Sequence, residues 1–361
     1  MKLTATRGDL AKAIAVVSRV APSRAALPVL SNLLLVATAD GLNLTATDLD
    51  IGIEVACPAL VSDPGSITLP AKKLHEIVTK LPEAPIDIAI EDYQALITCK
   101  RSKFTVPTLP ADEYPKLLAS AQDDATVVLP AAELARGIRQ TLFATSKDDK
   151  SVIAGLLLRV HDAKLEIVGT DGYRLAWWRA EGKGEGDLEA IIPSRAMGEL
   201  SRLLDGGEVT VARAGNQIAF RVGDRLLTSR VIDGTFPAFE RIIPPEFKYG
   251  ARMGRDELLG AVERAGIMAS EIDGHAICLG LDQGELGISG SAAALGQAQD
   301  TLAIEYDGEP MEIRFNARYV EEALRAVDGE AITLRLNGAV QAALIEGSDP
   351  LYVSLLMPIQ G

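Results

Sequence analysis

The side chains that most often perform chemistry in proteins are sparse and scattered in this sequence. Its three histidines, His75, His161 and His275, stand in unrelated contexts, and none belongs to a zinc-binding H-E-x-x-H motif. The sequence contains no phosphate-binding G-x-x-x-x-G-K-[ST] motif and no nucleophile motif G-x-S-x-G. These absences favour a protein without catalytic activity, and we expect no metal and no cofactor. A metal-dependent hydrolase that uses scattered carboxylates is a remote alternative.

Cysteine usage and hydropathy indicate the compartment. Cys57, Cys99 and Cys278 are odd in number, far apart and outside any C-x-x-C pair, so we expect buried thiols in a reducing compartment. Residues 1–15 contain no uninterrupted apolar segment of the signal-peptide type. The most apolar stretch, residues 25–39, is interrupted by Pro and polar residues and is shorter than the roughly 20 residues of a membrane span. We therefore expect a cytoplasmic protein without a membrane anchor.

Charge is distributed unevenly along the chain. The net charge of −14 argues by itself against nucleic acid, because phosphate binding usually requires excess Lys and Arg. However, six segments with a helical apolar period contain 13 Lys and Arg against 9 Asp and Glu, whereas the remaining chain has 23 against 41. On four of these segments two basic residues stand seven positions apart, which is about two helical turns and aligns them in one stripe. Solvated helix faces explain any single stripe, and only the six together weakly favour a DNA-facing surface.

A long-period repeat predicts how these helices are arranged. The leading leucines of three similar helical segments, Leu10, Leu134 and Leu258, are separated by 124 residues each time. A strand-like stretch follows each segment, then a second helical segment, and then alternating strands. We therefore expect an α+β fold made of three repeated units, each with two amphipathic helices packed on antiparallel sheets. We place the domains at residues 1–120, 121–246 and 247–361, with linkers near 118–125 and 244–250.

The six helices are predicted over residues 9–20, 71–81, 130–144, 194–204, 255–268 and 316–327. Pro70 and Pro193 suit the first turn of a helix, where a missing N–H costs nothing. Ser194 and Asn316 are suitable N-caps, because their side chains accept hydrogen bonds from the free N–H groups of a first turn.

Eight segments of the sequence together resemble the bacterial β sliding clamps, the processivity subunits of DNA polymerase III. They are MKLTATRGDLAKAI at the start, LPVLSNLLL from Leu27, LNLTATDLDIGIE from Leu42, LPADEYP from Leu109, VGTDGYRLA from Val168, VIDGTFPAFERIIP from Val231, IRFNARYVEEAL from Ile313 and LLMPI from Leu355. The segments follow the family's order and spacing over essentially the whole chain. The resemblance implies a non-enzymatic DNA sliding clamp with three DNA-clamp domains per chain. Two chains would join head to tail into a closed ring.

The same resemblance implies the partners. They are a second copy of the chain, double-stranded DNA, a replicative DNA polymerase subunit, a clamp loader and other proteins with a clamp-binding motif. A negative outer surface would repel DNA while a mildly basic inner surface tolerates it, so enclosure would replace affinity. Tyr173 replaces a frequent histidine, and Gln360 and Gly361 replace the family's basic-apolar end, which puts partner preference in doubt. A divergent clamp copy specialised for repair, a mobile element or drug tolerance is therefore an alternative.

Three groups of site residues follow from the resemblance. A peptide-binding groove between the second and third domains would contain Ile153, Thr170, Gly172, Tyr173, Arg174, Leu175, Pro237, Arg241, Ile242, Asn316, Tyr319, Val340, Leu355, Leu356, Met357, Pro358 and Ile359. The DNA-proximal residues would be Arg24, Lys147 and Lys150, to which basic residues of the predicted helices are added: Lys12, Lys73, Lys80, Arg136, Arg139, Arg195 and Arg202. The dimer interface would use Ile77, Leu81, Phe104 and Val106 at one end of the chain and Ile267 and Met268 at the other.

Overall fold

The computed structural model describes residues 1–116, 126–182, 186–269, 274–292 and 296–359. Six α-helices lie in these ranges: α1 (Arg7–Val17), α2 (Ala71–Lys80), α3 (Ala131–Thr141), α4 (Ser194–Ser201), α5 (Arg255–Gly266) and α6 (Ala317–Ala326). Each predicted helix is confirmed, but each ends one to three residues before the predicted end. The apolar period continues beyond the last α-helical turn, as in the 3₁₀ turn Leu142–Ala144 that follows α3.

The starts of the second helices correct part of the prediction. Pro70 and Pro193 are the N-cap residues of α2 and α4, one position before the first turn that was predicted for them. Ser194 is consequently the first residue of α4 and not its N-cap, because the preceding strand continues to Pro193. Asn316 is confirmed as the N-cap of α6, and its side chain accepts a hydrogen bond from the N–H of Tyr319.

The strands of the described residues form four sheets in which all neighbouring strands are antiparallel. They are β1 (Lys2–Thr6), β2 (Asn32–Thr38), β3 (Gly41–Thr47), β4 (Ile51–Cys57), β5 (Ala59–Asp63), β6 (Gly65–Pro70), β7 (Pro85–Glu91), β8 (Gln94–Cys99), β9 (Ser102–Pro107), β10 (Thr126–Pro130), β11 (Gly155–His161), β12 (Lys164–Thr170), β13 (Arg174–Glu181), β14 (Leu188–Pro193), β15 (Glu208–Ala214), β16 (Gln217–Val222), β17 (Arg225–Arg230), β18 (Tyr249–Gly254), β19 (Ala276–Asp282), β20 (Glu285–Ala292), β21 (Gly296–Ala303), β22 (Met311–Asn316), β23 (Ala331–Leu336), β24 (Ala343–Glu346) and β25 (Tyr352–Leu356). The sheet orders are β5-β1-β7-β8-β9, β10-β15-β16-β17-β4-β3-β2-β6, β14-β11-β12-β13-β25-β24-β23-β18 and β21-β20-β19-β22.

The order of these elements confirms the threefold repeat. Each repeat runs strand, helix, strands, helix and three strands, and only the first repeat adds an extra strand, β5, among the described elements. The last strand of the second repeat, β17, pairs with β4 of the first, and the last strand of the third, β25, pairs with β13 of the second. Each of the two eight-stranded sheets therefore combines four strands from each of two successive repeats.

The chain divides into two compact units, which are described separately. Unit 1 contains Met1–Ala131 and Leu203–Val231, and its core includes the packed pair α1 and α2. Unit 2 contains Ala132–Arg202 and Ile232–Gly361, and α5 and α6 pack on each other within it. In unit 2, an apolar cluster around Leu175, Leu355 and Phe239 lies on one face of the eight-stranded sheet.

The structure also tests the predictions about the cysteines, the linkers and the membrane spans. Cys57 and Cys99 are buried as predicted, and burial raises the pKa of the Cys57 thiol to about 11, whereas Cys278 is only partly buried. The predicted linker 244–250 is too long, because its last two residues lie in β18 and pair with β23. The other predicted linker, 118–125, and residues 360 and 361 lie outside the described residues. No helix in the described ranges is long and apolar enough to cross a membrane.

Candidate functional site

A turn built by side-chain hydrogen bonds joins β12 to β13. The Asp171 carboxylate accepts the N–H groups of Tyr173 at 2.9 Å and Arg174 at 3.1 Å. The Thr170 hydroxyl accepts the N–H of Gly172 at 3.1 Å and donates to the carbonyl of Arg174 at 2.6 Å. Gly172 has a φ of +89°, a backbone conformation that residues with a Cβ rarely adopt. The turn leaves Tyr173 exposed and Arg174 buried.

A cavity of about 490 Å³ lies beside this turn, and we call it the apolar chamber. It is lined by Thr170, Gly172, Arg174, Ile242, Pro244, Asn337, Val340, Gln341, Ala342, Leu355 and Met357. The N–H of Met357 donates to the carbonyl of Tyr173 at 2.8 Å, which holds the chain end against the turn. Ile242, Val340 and Met357 are exposed although they are apolar, so they offer surface to a ligand.

The polar groups of this lining are largely occupied within the protein. The Asn337 side chain donates to the carbonyl of Glu246 at 2.9 Å and accepts the N–H of Lys248 at 2.8 Å. The Thr170 hydroxyl is committed to the turn. The chamber therefore offers mainly apolar surface, which suits an apolar side chain of a ligand better than a polar one.

A second cavity, of about 320 Å³, shares Arg174 with the first, and we call it the polar chamber. It is lined by Thr145, Ser146, Lys147, Asp148, Asp171, Tyr173, Arg174, Asn316, Arg318, Tyr319 and Glu322. These residues come from the loop after α3, from the turn and from the N-terminal half of α6 and its N-cap. The two chambers, which share Arg174 in their linings, together form the candidate site in unit 2.

Arg174 lies between the chambers although its side chain is only 5% exposed. Its Nε donates to the Asp171 carboxylate at 3.1 Å, and its two terminal nitrogens donate to the Glu322 carboxylate and the Phe143 carbonyl. The guanidinium carbon is 4.2 Å from the ring centre of Tyr319. Burial and then the charge of Asp171 raise the pKa of the Tyr319 hydroxyl. We call Arg174, Asp171 and Glu322 the arginine clasp, because two carboxylates pair with one cation that is otherwise cut off from water.

Comparison with known proteins identifies the family of the chain. Three models of the DNA polymerase III beta subunit match it: the N-terminal domain over residues 1–118, the central domain over 128–238 and the C-terminal domain over 240–360. The chain belongs to the DNA polymerase III beta-subunit family. The beta sliding clamp of Synechococcus elongatus is 36% identical, with 100% of this chain and 99% of the relative covered. The Escherichia coli beta sliding clamp is 35% identical, with 96% of each chain covered.

Solved structures of sliding clamps have the same fold. A Pseudomonas aeruginosa DnaN sliding clamp bound to griselimycin superposes with a TM-score of 0.95 at 32% identity, and a Bacillus subtilis DNA polymerase sliding clamp with 0.93 at 28%. The first covers 100% of both chains, and the second covers 100% of this chain and 99% of the other. The chain therefore has three repeated clamp domains. The family-model ranges do not set the exact boundaries, so 1–120, 121–246 and 247–361 stay predictions.

The two chambers of this sliding clamp collect 10 of the 17 predicted groove residues. The apolar chamber includes Thr170, Gly172, Arg174, Ile242, Val340, Leu355 and Met357, and the polar chamber includes Tyr173, Arg174, Asn316 and Tyr319. Ile153, Leu175, Pro237, Arg241, Leu356, Pro358 and Ile359 line neither chamber. Leu175 and Leu356 are buried in the paired strands β13 and β25 and support the site from below.

Sequence reasoning missed several lining residues. Pro244, Asn337, Gln341 and Ala342 belong to the apolar chamber, and Thr145, Ser146, Asp148, Asp171, Arg318 and Glu322 to the polar one. Asp171 could have been found within the segment VGTDGYRLA, whereas Glu322 carries no signal beyond its place on α6. Lys147, which was predicted to lie near DNA, lines the polar chamber.

Many of the predicted DNA-proximal cations form ion pairs inside the protein. Arg136 pairs with Asp328 at 2.9 Å and Asp349 at 2.8 Å, and Arg139 pairs with Asp328 at 3.1 Å. The ion pairs Lys73 with Glu76 and Arg202 with Glu199 lie within single helices. The exposed residues of this group are Arg24, Lys147, Lys150, Lys12, Lys73, Lys80, Arg139, Arg195 and Arg202. Their free positive charge is therefore smaller than the sequence count indicates.

The predicted interface residues fall at two places. Ile77, Phe104 and Val106 line a cavity of about 550 Å³ in unit 1, whereas Leu81 is buried in the core beside it. Ile267 follows α5 in unit 2 and is 71% exposed, and Met268 is half-buried.

Metal binding was predicted to be absent. Among the described residues, no three His, Cys, Asp or Glu side chains are grouped as metal ligands. The absence of a metal, a cofactor and catalytic activity stays a prediction.

Proposed function

We propose that this sliding clamp is a homodimer whose two chains close head to tail into a ring around double-stranded DNA, and that it tethers replicative polymerases and other proteins through the two chambers. One observation supports the ring. The last strand of a repeat pairs with the third strand after the first helix of the preceding repeat: β17 pairs with β4, and β25 pairs with β13. In this pattern β9 is the equivalent of β17, and β21 is the equivalent of β4. Both are sheet edges among the described strands.

The repeated pattern supports pairing of β9 in one copy with β21 in the other. Unpaired edge strands present free N–H and C=O groups, and closure of a ring satisfies them. The cavity at Ile77 and Phe104 beside β9 and the exposed Ile267 after α5 provide apolar surface near the two edges. Such a contact is heterologous, and two copies with six repeats would give a closed ring in which β9 and β21 of both copies are paired.

Sedimentation tests this dimer. We expect Ile267→Ala combined with Met268→Ala to shift the unaltered dimer towards monomer, because each lost apolar side chain costs about 2–5 kcal/mol at a core-like site. The control is Leu60→Ala, which removes an exposed side chain from β5 at the opposite edge of the sheet that ends in β9. A monomer at micromolar concentration before any substitution would contradict the ring.

The apolar chamber supports peptide tethering, because Thr170 and Asn337 are occupied within the protein and Ile242, Val340 and Met357 expose apolar surface. We expect it to bind peptides in which a Gln precedes apolar and aromatic residues. Removal of residues 357–361 should abolish peptide binding and leave the dimer intact, since Leu355 and Leu356, which pair with β13 and β24, remain. Full peptide affinity in the truncated protein would place the site elsewhere.

The charge of the protein supports retention on DNA by enclosure. A conventional protein with six to ten phosphate contacts loses roughly three to five powers of ten in affinity between 50 and 200 mM salt. This chain has a net charge of −14, and several of its helix cations are already paired. We expect long retention on circular DNA after loading, rapid loss on linearisation, and little dependence on salt. Equal lifetimes on circular and linear DNA would show that contacts hold the protein.

Loading should depend more than retention on Arg24, Lys147 and Lys150, because loading uses transient contacts. Their alanine variants should load more slowly and, once loaded, stay on circular DNA as long as the unaltered protein. Binding to a replicative polymerase peptide would separate a main clamp from a divergent copy. A cytoplasmic location stays a prediction.

A further inference from the structure

Arg174 is a charged residue in the lining of a chamber whose other surface is mainly apolar. Its charge has little access to the chamber, because the side chain is 5% exposed and its nitrogens donate to Asp171, Glu322 and Phe143. An apolar ligand group can cover such a neutralised cation at small cost. Covering a cation without its partners would cost far more.

The two carboxylates of the arginine clasp hold Arg174 in different ways. Asp171 belongs to the same turn, and backbone N–H groups of Tyr173 and Arg174 fix its position. Glu322 belongs to α6, which also carries the Tyr319 ring above the guanidinium. Glu322 therefore pulls the guanidinium away from the apolar chamber and towards α6. Without this carboxylate, one terminal nitrogen of Arg174 loses its charged partner, while Asp171 and the Phe143 carbonyl still hold its other nitrogens.

We infer that Glu322 is a positioning residue that sets the specificity of the apolar chamber. By holding Arg174 against α6, it leaves the clasp with two carboxylates and one cation, and this excess negative charge selects an apolar anchor against an acidic one. The inference rests on the proposed peptide-binding function and names a residue that supports the apolar chamber without lining it. When Glu322 loses its charge, the clasp becomes neutral and one guanidinium nitrogen is held less strongly, so a ligand carboxylate is repelled less.

Two peptides and one conservative variant test the inference. The peptides carry Gln before apolar and aromatic residues and differ only at the anchor, which is Leu in one and Glu in the other. Their dissociation constants are measured by fluorescence anisotropy on the full-length protein and on Glu322→Gln. We expect the ratio that favours the Leu peptide to fall about tenfold in the variant, because an amide oxygen holds the guanidinium less strongly than a carboxylate does. Both dissociation constants should change: the variant should bind the Leu peptide more weakly and the Glu peptide more tightly.

Neighbouring positions on α6 provide controls. Glu321→Gln removes a carboxylate that pairs with Arg325 at 3.5 Å and should leave the ratio unchanged. Glu322→Asp keeps the charge and should restore at least part of the ratio. A general loss of folding would weaken both peptides together, so the ratio separates positioning from stability.

Three outcomes would overturn the inference. An unchanged ratio in Glu322→Gln would show that Glu322 does not control Arg174. An equal effect of Glu321→Gln would assign the change to the net charge of α6. If the unaltered protein bound neither peptide, the proposed peptide-binding function would fail together with the inference.

Discussion

The turn at residues 47–51 in the first repeat and the turn at residues 170–174 in the second have the same pattern of hydrogen bonds. In the first, the Thr47 hydroxyl accepts the N–H of Leu49 and donates to the carbonyl of Ile51, as Thr170 does with its own turn. Asp48 accepts two N–H groups, as Asp171 does. The following repeat donates an N–H to each turn: Arg230 to the carbonyl of Asp50 at 3.0 Å, and Met357 to that of Tyr173 at 2.8 Å.

The side chains on these two frames are different. Above the first turn stand Asp50 and Arg230, which are 3.9 Å apart, where the second has Tyr173 and Met357. The hydroxyl of the buried Tyr114 accepts the N–H of Thr47 at 3.1 Å beneath the first turn. The first turn therefore carries an exposed charged pair, whereas the second turn borders a mainly apolar cavity. The repeat therefore determines the backbone conformation of both turns, and a few different side chains make only the second a candidate binding site.

The largest effect on stability is expected from replacing the buried cation Arg174 of the second turn. The equivalent residue of the first turn is Ile51, which is buried without a charge. Arg174→Met should destabilise unit 2 by about 3 kcal/mol, because it leaves Asp171 and Glu322 without their partner. Urea unfolding followed by tryptophan fluorescence measures this, since Trp177 and Trp178 lie in β13.

Arg325→Met is the matched control for Arg174→Met. Arg325 is 54% exposed in its ion pairs on α6, so its loss should cost less than about 1 kcal/mol. Adding Asp171→Asn and Glu322→Gln to Arg174→Met should recover part of the stability. An Arg174→Met protein as stable as the unaltered one would mean that the clasp carboxylates find other partners or water.

An exchange of side chains tests whether two residues distinguish the peptide-binding turn from the charged one. Tyr173→Asp with Met357→Arg copies the pair Asp50 and Arg230 onto the second turn. Peptide affinity should fall about thirtyfold, which is the loss of roughly 2 kcal/mol typical of a central apolar anchor. Stability should change little, because the first turn carries the same pair on the same backbone. Unchanged affinity would show that neither side chain contributes to binding.

The reverse exchange is the control for this variant. Asp50→Tyr with Arg230→Met places the side chains of the second turn on the first turn and should leave peptide affinity unchanged. A parallel loss of affinity in both variants would indicate a general effect on the protein.

Sequence reasoning predicted the repeated frame better than the chambers. The helices and the threefold repeat followed from Leu10, Leu134 and Leu258, because apolar periodicity reports directly on packing. The groove residues came from the family resemblance, which found Tyr173 and Met357 but missed Asn337 and Glu322. Both missed residues act through hydrogen bonds or ion pairs with distant segments. Such partners depend on the tertiary arrangement, and no local pattern records them.

The buried tyrosine beneath the first turn predicts that the stability of unit 1 falls at alkaline pH. Burial raises the pKa of Tyr114 to about 12, against about 10 in an unfolded chain. Because the folded state favours the neutral hydroxyl, this contribution to stability is complete below pH 10 and is lost as the pH rises towards 12. The loss is on the order of 2 kcal/mol. Tyr114→Phe should remove it, as measured by unfolding of the two proteins between pH 9 and 12.

Tyr93→Phe is the control for Tyr114→Phe, because Tyr93 is exposed in the same unit. It should leave the alkaline slope of stability as it is. Identical slopes for Tyr114→Phe and the unaltered protein would contradict the role of Tyr114. The fully buried Tyr352 of unit 2, whose pKa is also raised by burial, remains in every variant and cancels in the comparison.

The smallest effect is expected where the two turns differ in strain. Leu49 has a φ of +83° at the position where the second turn has Gly172 with +89°, so a Cβ occupies a left-handed conformation only in the first turn. Leu49→Gly should relieve about 1–2 kcal/mol of this strain. The greater freedom of glycine in the unfolded chain offsets about 0.5–1 kcal/mol of the gain. A net stabilisation of at most about 0.5 kcal/mol should follow, because Leu49 is 44% exposed and its removal also loses some buried apolar surface. Hydrogen exchange at the backbone of Ile51 measures the local change, and Gly172→Leu should give the opposite sign at Arg174. Stabilisation by both substitutions would show that the two turns do not share one backbone preference.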